Sequence, residues 1–484
     1  MADEIELKLE LAPADADRII ASKLFGETAK VADQVSTYFD TAGKAVANAG
    51  FSLRIRRTGN TRIQTIKAHG AHSAGLFART EWERPVDNDV PILDYATPLP
   101  TVIGDDADKV TPRFMVKVER CKWLIEEDGT TIEVVLDRGE VSASGRSDRI
   151  CEIELELKLG DPAALFGLAR KIGAIAPIRL GVLTKSERGY RLEEPDLESV
   201  KAEPVVLRAD TSAAEAFKRI VQSCMRQFRL NEDLLLSSRN PNALHQARVA
   251  IRRLRSAFSI FKPMIGDDGA GLREELKWLA EALGQARDID VLLERAPPGA
   301  LRDRVMAARE KTYDLLLETL ADHRARIVML NIAHWLEQGR WTGSDGGEVD
   351  ESEPARAFAA SALARLRRRI KRRGKGLATV DEETRHEVRK DAKKLRYATE
   401  FFASLFDGKR AQRRQKRFVV ALEGLQDHLG ALNDLATAPH LLELLGLVEQ
   451  DGASELLAND SGKMKLLARA EVAHDELFDT KRFW

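Results

Sequence analysis

The feature that most constrains this chain is a change of hydrophobic period near residue 200. Up to about Arg191, apolar residues recur at every second position in short segments: "EIELKLEL", "FSLRIRR", "RIQTIKA", "RTEWERPV", "RFMVKVERCKWLIEE", "TTIEVVLDRGEV" and "ICEIELELKLG". Successive side chains of a strand point to opposite faces. These segments, broken by Gly, Asn, Asp and Pro, therefore predict an antiparallel strand set, with Asp128-Gly129 as one hairpin turn. Two helical inserts are expected, around "APADADRIIASKLFG" and "DPAALFGLARKIG". From about Asp210 the period becomes 3.6, in segments such as "ALHQARVAIRRLRSAFSIF" and "TRHEVRKDAKKLRYATEFFASLF", whose apolar residues at i, i+3, i+4 and i+7 predict helices. The chain thus reads as an α+β strand unit at residues 1–195, a linker at 196–209 signalled by the overlapping stretch "LEEPDLESVKAEP", and an all-α unit at 210–484. A second flexible connection is expected inside the helical half, from Glu337 to Pro354.

Charge divides along the same line. Residues 1–200 hold 27 Lys and Arg against 34 Asp and Glu, and the remainder 49 against 43. No apolar run approaches the ~20 residues of a membrane span, and the acidic N-terminus is unlike a signal peptide, so the expectation is a cytoplasmic protein with no membrane partner. Cys121, Cys151 and Cys224 are too few and scattered for a disulfide framework or a zinc site.

In the strand half, one face of each strand is apolar and the other carries charge of both signs. Glu4, Glu6 and Lys8 share a face, as do Arg54 and Arg56, Arg79, Glu81 and Glu83, Glu133 and Asp137, and Glu152, Glu154 and Glu156. If helices cover the apolar faces from outside, a closing sheet turns the charged faces into its own interior. A lumen crowded with carboxylates calls for cations, and one crowded with Arg and Lys calls for an anion. Hard divalent metals with a polyphosphate meet both demands.

The ExExK opening, "YFDT" (Tyr38 to Thr41), "LRIRR", Lys67, Arg120, "EVVLDRG", "EIELELK" and "TKSERGYRL" resemble, in order, the CYTH domains, or triphosphate tunnel metalloenzymes. That resemblance covers nearly all of residues 1–193. It implies an eight-stranded antiparallel β tunnel that hydrolyses a triphosphate with Mg2+ or Mn2+. Carried onto this chain, Lys8, Arg54, Arg56, Lys67, Arg120 and Lys185 would hold phosphate, and Glu4, Glu6, Asp137, Glu152 and Glu154 would hold metal. For Glu81 and Glu83, pairing with tunnel arginines and a metal role both stay open. Tyr38 and Asp40 belong to the signature yet could equally stabilise a strand end.

The helical half contains a duplication. "HQARVAIRRLRSAFSIF", from His245, and "HEVRKDAKKLRYATEFF", from His386, share H-x-x-R-x-x-x-[RK]-[RK]-L-R, with a Phe six residues after the last Arg. On a helix, positions i, i+3, i+7 and i+10 fall within ~80° of the circumference. His245, Arg248, Arg252 and Arg255 therefore form one basic stripe, and His386, Arg389, Lys393 and Arg396 its copy. Each is followed by a second shared element, "LGQARDIDVLL" and "LGALNDLATAPHLL", so two helical repeats are expected at about 210–340 and 354–484. Arg253, Lys394 and the run Arg365 to Gly376 could extend the basic face, and His428, present in one copy alone, reads as structural. These residues resemble the CHAD domain, a helical module found behind CYTH domains and associated with inorganic polyphosphate. That resemblance makes the two stripes phosphate contacts, with the histidines as hydrogen-bonding groups, because the cation at i+3 disfavours metal.

The expected function is metal-dependent hydrolysis of inorganic triphosphate to pyrophosphate and phosphate, with polyphosphate bound by the helical unit. Alternatives are a non-catalytic polyphosphate-binding or targeting protein, or a tunnel enzyme acting on ATP as an adenylate cyclase or on thiamine triphosphate. Nucleic acid is not an expected partner, because the basic helices offer few stacking aromatics.

Overall fold

Period-two patterning produces ten strands: β1 (Glu4–Glu10), β2 (Lys30–Asp40), β3 (Phe51–Thr58), β4 (Thr61–Ala68), β5 (Leu76–Arg79), β6 (Glu81–Pro85), β7 (Thr111–Glu127), β8 (Thr130–Ala143), β9 (Arg146–Leu159) and β10 (Arg179–Leu180). The computed structural model describes residues 4–68, 75–339, 350–456 and 460–484. Much of the connection expected between Glu337 and Pro354 lies outside them. Every pairing is antiparallel, in the order β10-β1-β9-β8-β7-β2-β3-β4-β6, with β5 also on β1. Asp128 and Gly129, at φ of 49° and 74°, make the β7–β8 hairpin turn that needs two left-handed residues.

Eight strands are expected and ten are found, for two reasons. The dipeptide strand β10 is too short to carry a period. The segment "RTEWERPV", expected as one strand, divides at Thr80: β5 pairs with β1, whereas β6 pairs with β4. One stretch of chain therefore reaches both ends of the strand order and curls the sheet into a tunnel.

The apolar faces point outward and are covered. Leu7, Leu9, Ile153 and Leu155 are fully buried on the side where the helix Ala163–Ile175 lays Leu165, Phe166, Ala169 and Ile172, and Leu53 is buried in a separate cluster with Val46, Leu99 and Ile103. One end of the interior is also apolar. Phe114, Val116, Val118, Val141 and Ile150 cluster there with Tyr38, and Tyr190 and Leu192 of the helix Lys185–Leu192 pack against them. The charged chamber occupies the rest.

The chain divides into two compact units: Met1–Glu198 with Ala321–Gln338, and Ser199–Leu320 with Gly339–Trp484. The helix His323–Gln338, drawn from the helical half of the sequence, packs with the strand unit, where Arg170 Nη2 meets His334 Nδ1 at 2.7 Å. Amphipathic period tells a helix to bury a face, not which neighbour will cover it.

In the helical unit, Ala213–Ser238, Pro241–Ile260, Ala270–Arg295 and Ala300–Ala321 are echoed by Ala355–Arg373, Glu382–Phe401, Lys409–Leu444 and Asp460–Asp479. The matched phenylalanines Phe261 and Phe402 meet at 5.9 Å between ring centroids, and Phe358 stacks on Phe261 at 4.4 Å. Duplicated core residues thus join the two copies. No helix among the described residues is long and apolar enough to cross a membrane.

Candidate functional site

The interior faces of β1, β2, β3, β4, β6, β7, β8 and β9 enclose a cavity of about 440 Å³. All six expected phosphate-binding cations, Lys8, Arg54, Arg56, Lys67, Arg120 and Lys185, line it. Of the expected metal ligands, Glu6 and Glu154 line it, while Asp137 and Glu152 sit just behind the wall, fully buried. The side chain of Glu4 lies outside the described residues.

Lys122 and Lys158 also line the chamber, with Glu81, Glu83, Glu133 and Glu156. Neither lysine was expected, yet strand period would have found them: Lys122 is two residues beyond Arg120, and Lys158 two beyond Glu156. Eight cations and six acids thus face the cavity, and Asp137 with Glu152 brings the acids to eight.

At the buried end, Asp137, Glu152 and Glu154 each bring an oxygen within 4.8 Å of the others. Three cations hold them. Lys185 Nζ lies 2.7 Å from Asp137, 2.5 Å from Glu152 and 3.0 Å from Glu154. Lys8 pairs with Glu152 at 3.1 Å and also with Glu154. Arg120 grips Asp137 with Nε at 2.7 Å and Nη2 at 2.6 Å. Burial alone disfavours every one of these charges, but mutual attraction outweighs it. The Lys8, Arg120 and Lys185 pKa values are raised and those of Asp137, Glu152 and Glu154 lowered, so all six stay ionised near neutrality.

Further along, Lys67 meets Glu81 at 3.0 Å, Arg56 meets Glu83 at 3.4 Å, and Lys122 meets Glu133 at 2.5 Å. Glu83 also accepts a bond from Thr65 Oγ1 at 2.9 Å. For Glu81 and Glu83, the pairing reading is therefore the one the geometry displays. It also revises the argument from confined charge: the acids and bases of the lumen can coexist by pairing with each other. What remains uncompensated is local. Arg56 has its pKa lowered by burial and by the neighbouring charges of Arg54 and Arg120, and the buried Arg54 Nε lacks a partner.

Lys185 is delivered by a helix start that period alone did not predict. The Thr184 side chain caps it by accepting from the Glu187 backbone N–H, while the Glu187 carboxylate accepts from the Thr184 backbone N–H at 2.8 Å, the capping box spelled by "TKSE". Asp40, fully buried, is structural: it accepts bonds from the backbone N–H of Thr41, Val46 and Ala47 and from Tyr190 Oη at 2.6 Å. Tyr38 stacks on Phe114 at 4.7 Å and lies 3.5 Å from Arg54 Nη1.

In the helical unit the two basic stripes converge. The Lys393 ammonium is pushed down to about 6 by burial and by Arg252, Arg389 and Arg248, so residues of both copies share one cluster. Arg389 is lowered for the same reasons, burial first, with Arg252 and Arg248 adding to it. The matched acids of "LGQARD" and "LGALND" answer this charge: Asp288 pairs with Arg248 at 2.9 Å, and Asp434 acts on Arg389 and Lys393. His245 is pushed down to about 4 by burial and by Arg287, Arg252 and Arg248, which leaves it neutral; exposed His386 is lowered too.

Other stripe residues go elsewhere. Arg396 bonds Glu400 at 2.8 Å and Gln426 at 3.1 Å, and buried Arg253 pairs with the same Glu400. Arg255 is exposed and Lys394 lies 3.8 Å from Asp391. Within the run from Arg365, Arg365 bonds Ile260 O and Arg373 pairs with Asp391 at 2.8 Å, so these two secure the bundle.

An antiparallel tunnel of paired charges, joined in one chain to a duplicated helical bundle with a basic centre, defines a two-domain α+β and all-α architecture. Comparison with known families agrees: residues 2–190 match the CYTH domain and residues 219–443 match the CHAD domain. The chain is a CYTH domain followed by a CHAD domain. It is 29% identical over 196 residues to an inorganic triphosphatase of Haemophilus influenzae, a match covering 40% of this chain and 55% of that protein. It is 30% identical over 179 residues to an uncharacterized protein of Mycobacterium tuberculosis, covering 32% of this chain and 33% of that one. The chain thus spans about half or less of the length of these curated relatives. Among solved structures it is similar to the CHAD domain of the plant Ricinus communis, at 26% identity and a TM-score of 0.49, over 58% of this chain and 97% of that one.

Proposed function

We propose that the strand unit hydrolyses inorganic triphosphate to pyrophosphate and phosphate with Mg2+ or Mn2+, and that the helical unit binds inorganic polyphosphate. The observation that carries this reading is the chamber in which eight cations face six acids with two more behind the wall. A phosphate chain entering alone would leave it strongly negative, whereas a chain accompanied by divalent cations would not.

The residues present fit a hard metal ion. Asp137, Glu152 and Glu154 supply oxygen donors in one cluster, and Glu152 Oε2 is buried with no hydrogen-bond partner. Those three residues would hold the ion, which would supply neutralisation of phosphate oxygens and acidification of water. The chain's own groups bind and align. Arg54 and Arg56 project adjacent guanidinium forks from one face of β3, and an anion between them relieves their mutual repulsion. Lys8, Arg120 and Lys185 are prealigned by their carboxylates, so little reorganisation is needed when phosphate charge arrives. Positioned charge is what a loose phosphoryl transfer asks of a protein. The aromatic residue in the lining, Tyr38, is buried and has its ring stacked on Phe114, which offers little platform for a nucleobase or thiazole; this favours the inorganic substrate.

Phosphate release from tripolyphosphate, ATP and thiamine triphosphate, with and without Mg2+ or Mn2+, tests the proposal. Release is expected from tripolyphosphate with metal, lost in Lys8→Ala and Glu154→Gln while polymer binding persists. Release from none of the three would instead support a non-catalytic polyphosphate-binding protein. Arg248→Ala with Arg389→Ala is expected to lose polyphosphate retention and keep hydrolysis.

A further inference from the structure

The helical unit carries a basic surface that neither site uses. After their matched phenylalanines the repeats diverge: the first continues "KPMIGDDGAG" from Lys262, and the second "ASLFDGKRAQRRQKRF" from Ala403. Opposite Asp267 and Asp268 of the first copy the second has Gly408 and Lys409, after Asp407, and it then places six cations within the nine residues 409–417. They occupy the opening turns of the helix Lys409–Leu444, whose first turn contains no acid. Cations at a helix N-terminus oppose the macrodipole, so helix chemistry does not account for them.

Two further elements extend this surface. Arg414 Nη1 donates to the carbonyl of Arg482 at 3.3 Å, and the tail is fixed there by Phe483 and Trp484 against Phe418. On the helix Ala355–Arg373, Arg367 donates to the Phe478 carbonyl at 2.9 Å and lies 4.7 Å above its ring, with Lys371 at 5.9 Å from the same ring. Arg367 and Arg482 are near enough to repel each other. In the chamber, cations such as Lys8, Arg120 and Lys185 are paired with carboxylates. Here, among the described residues, neither Arg367, Lys371 and Arg482 nor the cations of 409–417 make an ion pair with a carboxylate, and the Arg367 Nε is buried without a partner.

We propose that this surface is a second polyphosphate contact, separate from the repeat-lined cluster and engaged only by long chains; it rests on the polyphosphate reading of the helical unit. Arginine predominates, and its fork matches phosphate oxygens. Arg367 and Lys371 cover the Phe478 ring and Phe483 is buried, so bases find no stacking platform here. Val420 is a single exposed apolar side chain on this stretch of helix, too little to anchor in a bilayer. Arg413 and Asp434 of the repeat-lined cluster stand on one helix, and at ~1.5 Å per residue they are about 32 Å apart. A short chain occupies one site, and a long one bridges both.

The test uses the full chain, wild type and Arg410→Glu/Arg413→Glu/Arg417→Glu, with a chain of about 100 phosphates, one of about five, and duplex DNA, across a salt series. The triple variant is expected to lose at least about tenfold in long-chain affinity, with the log–log salt slope reduced by about 2 to 3. Binding of the short chain and tripolyphosphate hydrolysis are expected to stay unchanged. Unaltered long-chain affinity and slope would overturn the proposal, as would tighter wild-type binding of duplex DNA than of the long chain. If the wild type binds neither phosphate chain, the polyphosphate reading falls and this proposal with it. Should the triple variant misfold, losing hydrolysis as well, the corresponding triple Gln variant decides by the same readings.

Discussion

Replacing Lys185 by Met tests the charge balance of the buried cluster. The substitution keeps the stem and deletes an ammonium that lies 2.5 to 3.0 Å from three carboxylates. Arg120 would still grip Asp137, and Lys8 would still reach Glu152 and Glu154, so three acids would face two bases at the largely buried end of the chamber. Removing one partner from a buried ionic group costs about 3–5 kcal/mol. For a unit of this size, 1 kcal/mol corresponds to about 2–4 °C, so the strand unit is expected to melt about 6–20 °C lower at pH 7. The pH dependence has a defined sign. The three carboxylates have folded pKa values below their unfolded ones, so the stability they contribute is present above the unfolded pKa near 4 and is lost as pH falls through the folded values. The gap between wild type and variant is therefore expected to narrow below pH 4. Calorimetry between pH 3 and 8 measures it. Adding Glu152→Gln restores the balance and should recover about 1–3 kcal/mol. A double variant no more stable than Lys185→Met would refute the reasoning.

Three further outcomes are expected. Lys393 titrates at about 6 in the folded chain and near 10.4 unfolded, so the unfolded state binds more protons between those values and the helical unit gains stability as pH rises across the window. Lys393→Met should flatten that rise in urea melts, and polyphosphate binding at pH 7 should take up a proton, visible by calorimetry in buffers of different ionisation enthalpy. Tyr190→Phe, which deletes the bond to Asp40, should cost about 1–3 kcal/mol in strand-unit stability while the proposed tripolyphosphate hydrolysis stays unchanged. Gly189→Ala would drive a methyl group into the Phe114 ring and should cost about 1–3 kcal/mol by overpacking, measured by urea denaturation; an unchanged midpoint would mean that the plug is loosely packed.

Much of the site was legible as parity. Lys8, Arg54, Arg56, Lys67 and Arg120 face the chamber because a strand sends alternate side chains to one side, and the same rule accounts for Lys122 and Lys158, which were passed over. The "TKSE" cap was also present in the letters. Partners were not: Lys8 and Glu152 stand 144 positions apart, and no local pattern links them. Nor could period show that "RTEWERPV" would serve both ends of the sheet, because pairing partners are a property of register. In the helical half, the duplicated motif announced two copies, but not that Lys393 would crowd against Arg252 while Arg396 bonds Glu400.

What the amino-acid sequence determined alone is local and periodic: which residues share a strand face or helix stripe, where the period changes, and that the stripe occurs twice. Tertiary structure decided which charge neutralises which, that the tunnel interior ends in an apolar plug, and where the cations of 409–417 remain without acids. The reason is physical. Side-chain direction follows from backbone geometry within a few residues, whereas Coulomb energy depends on distances set only when segments far apart in the chain close on one another.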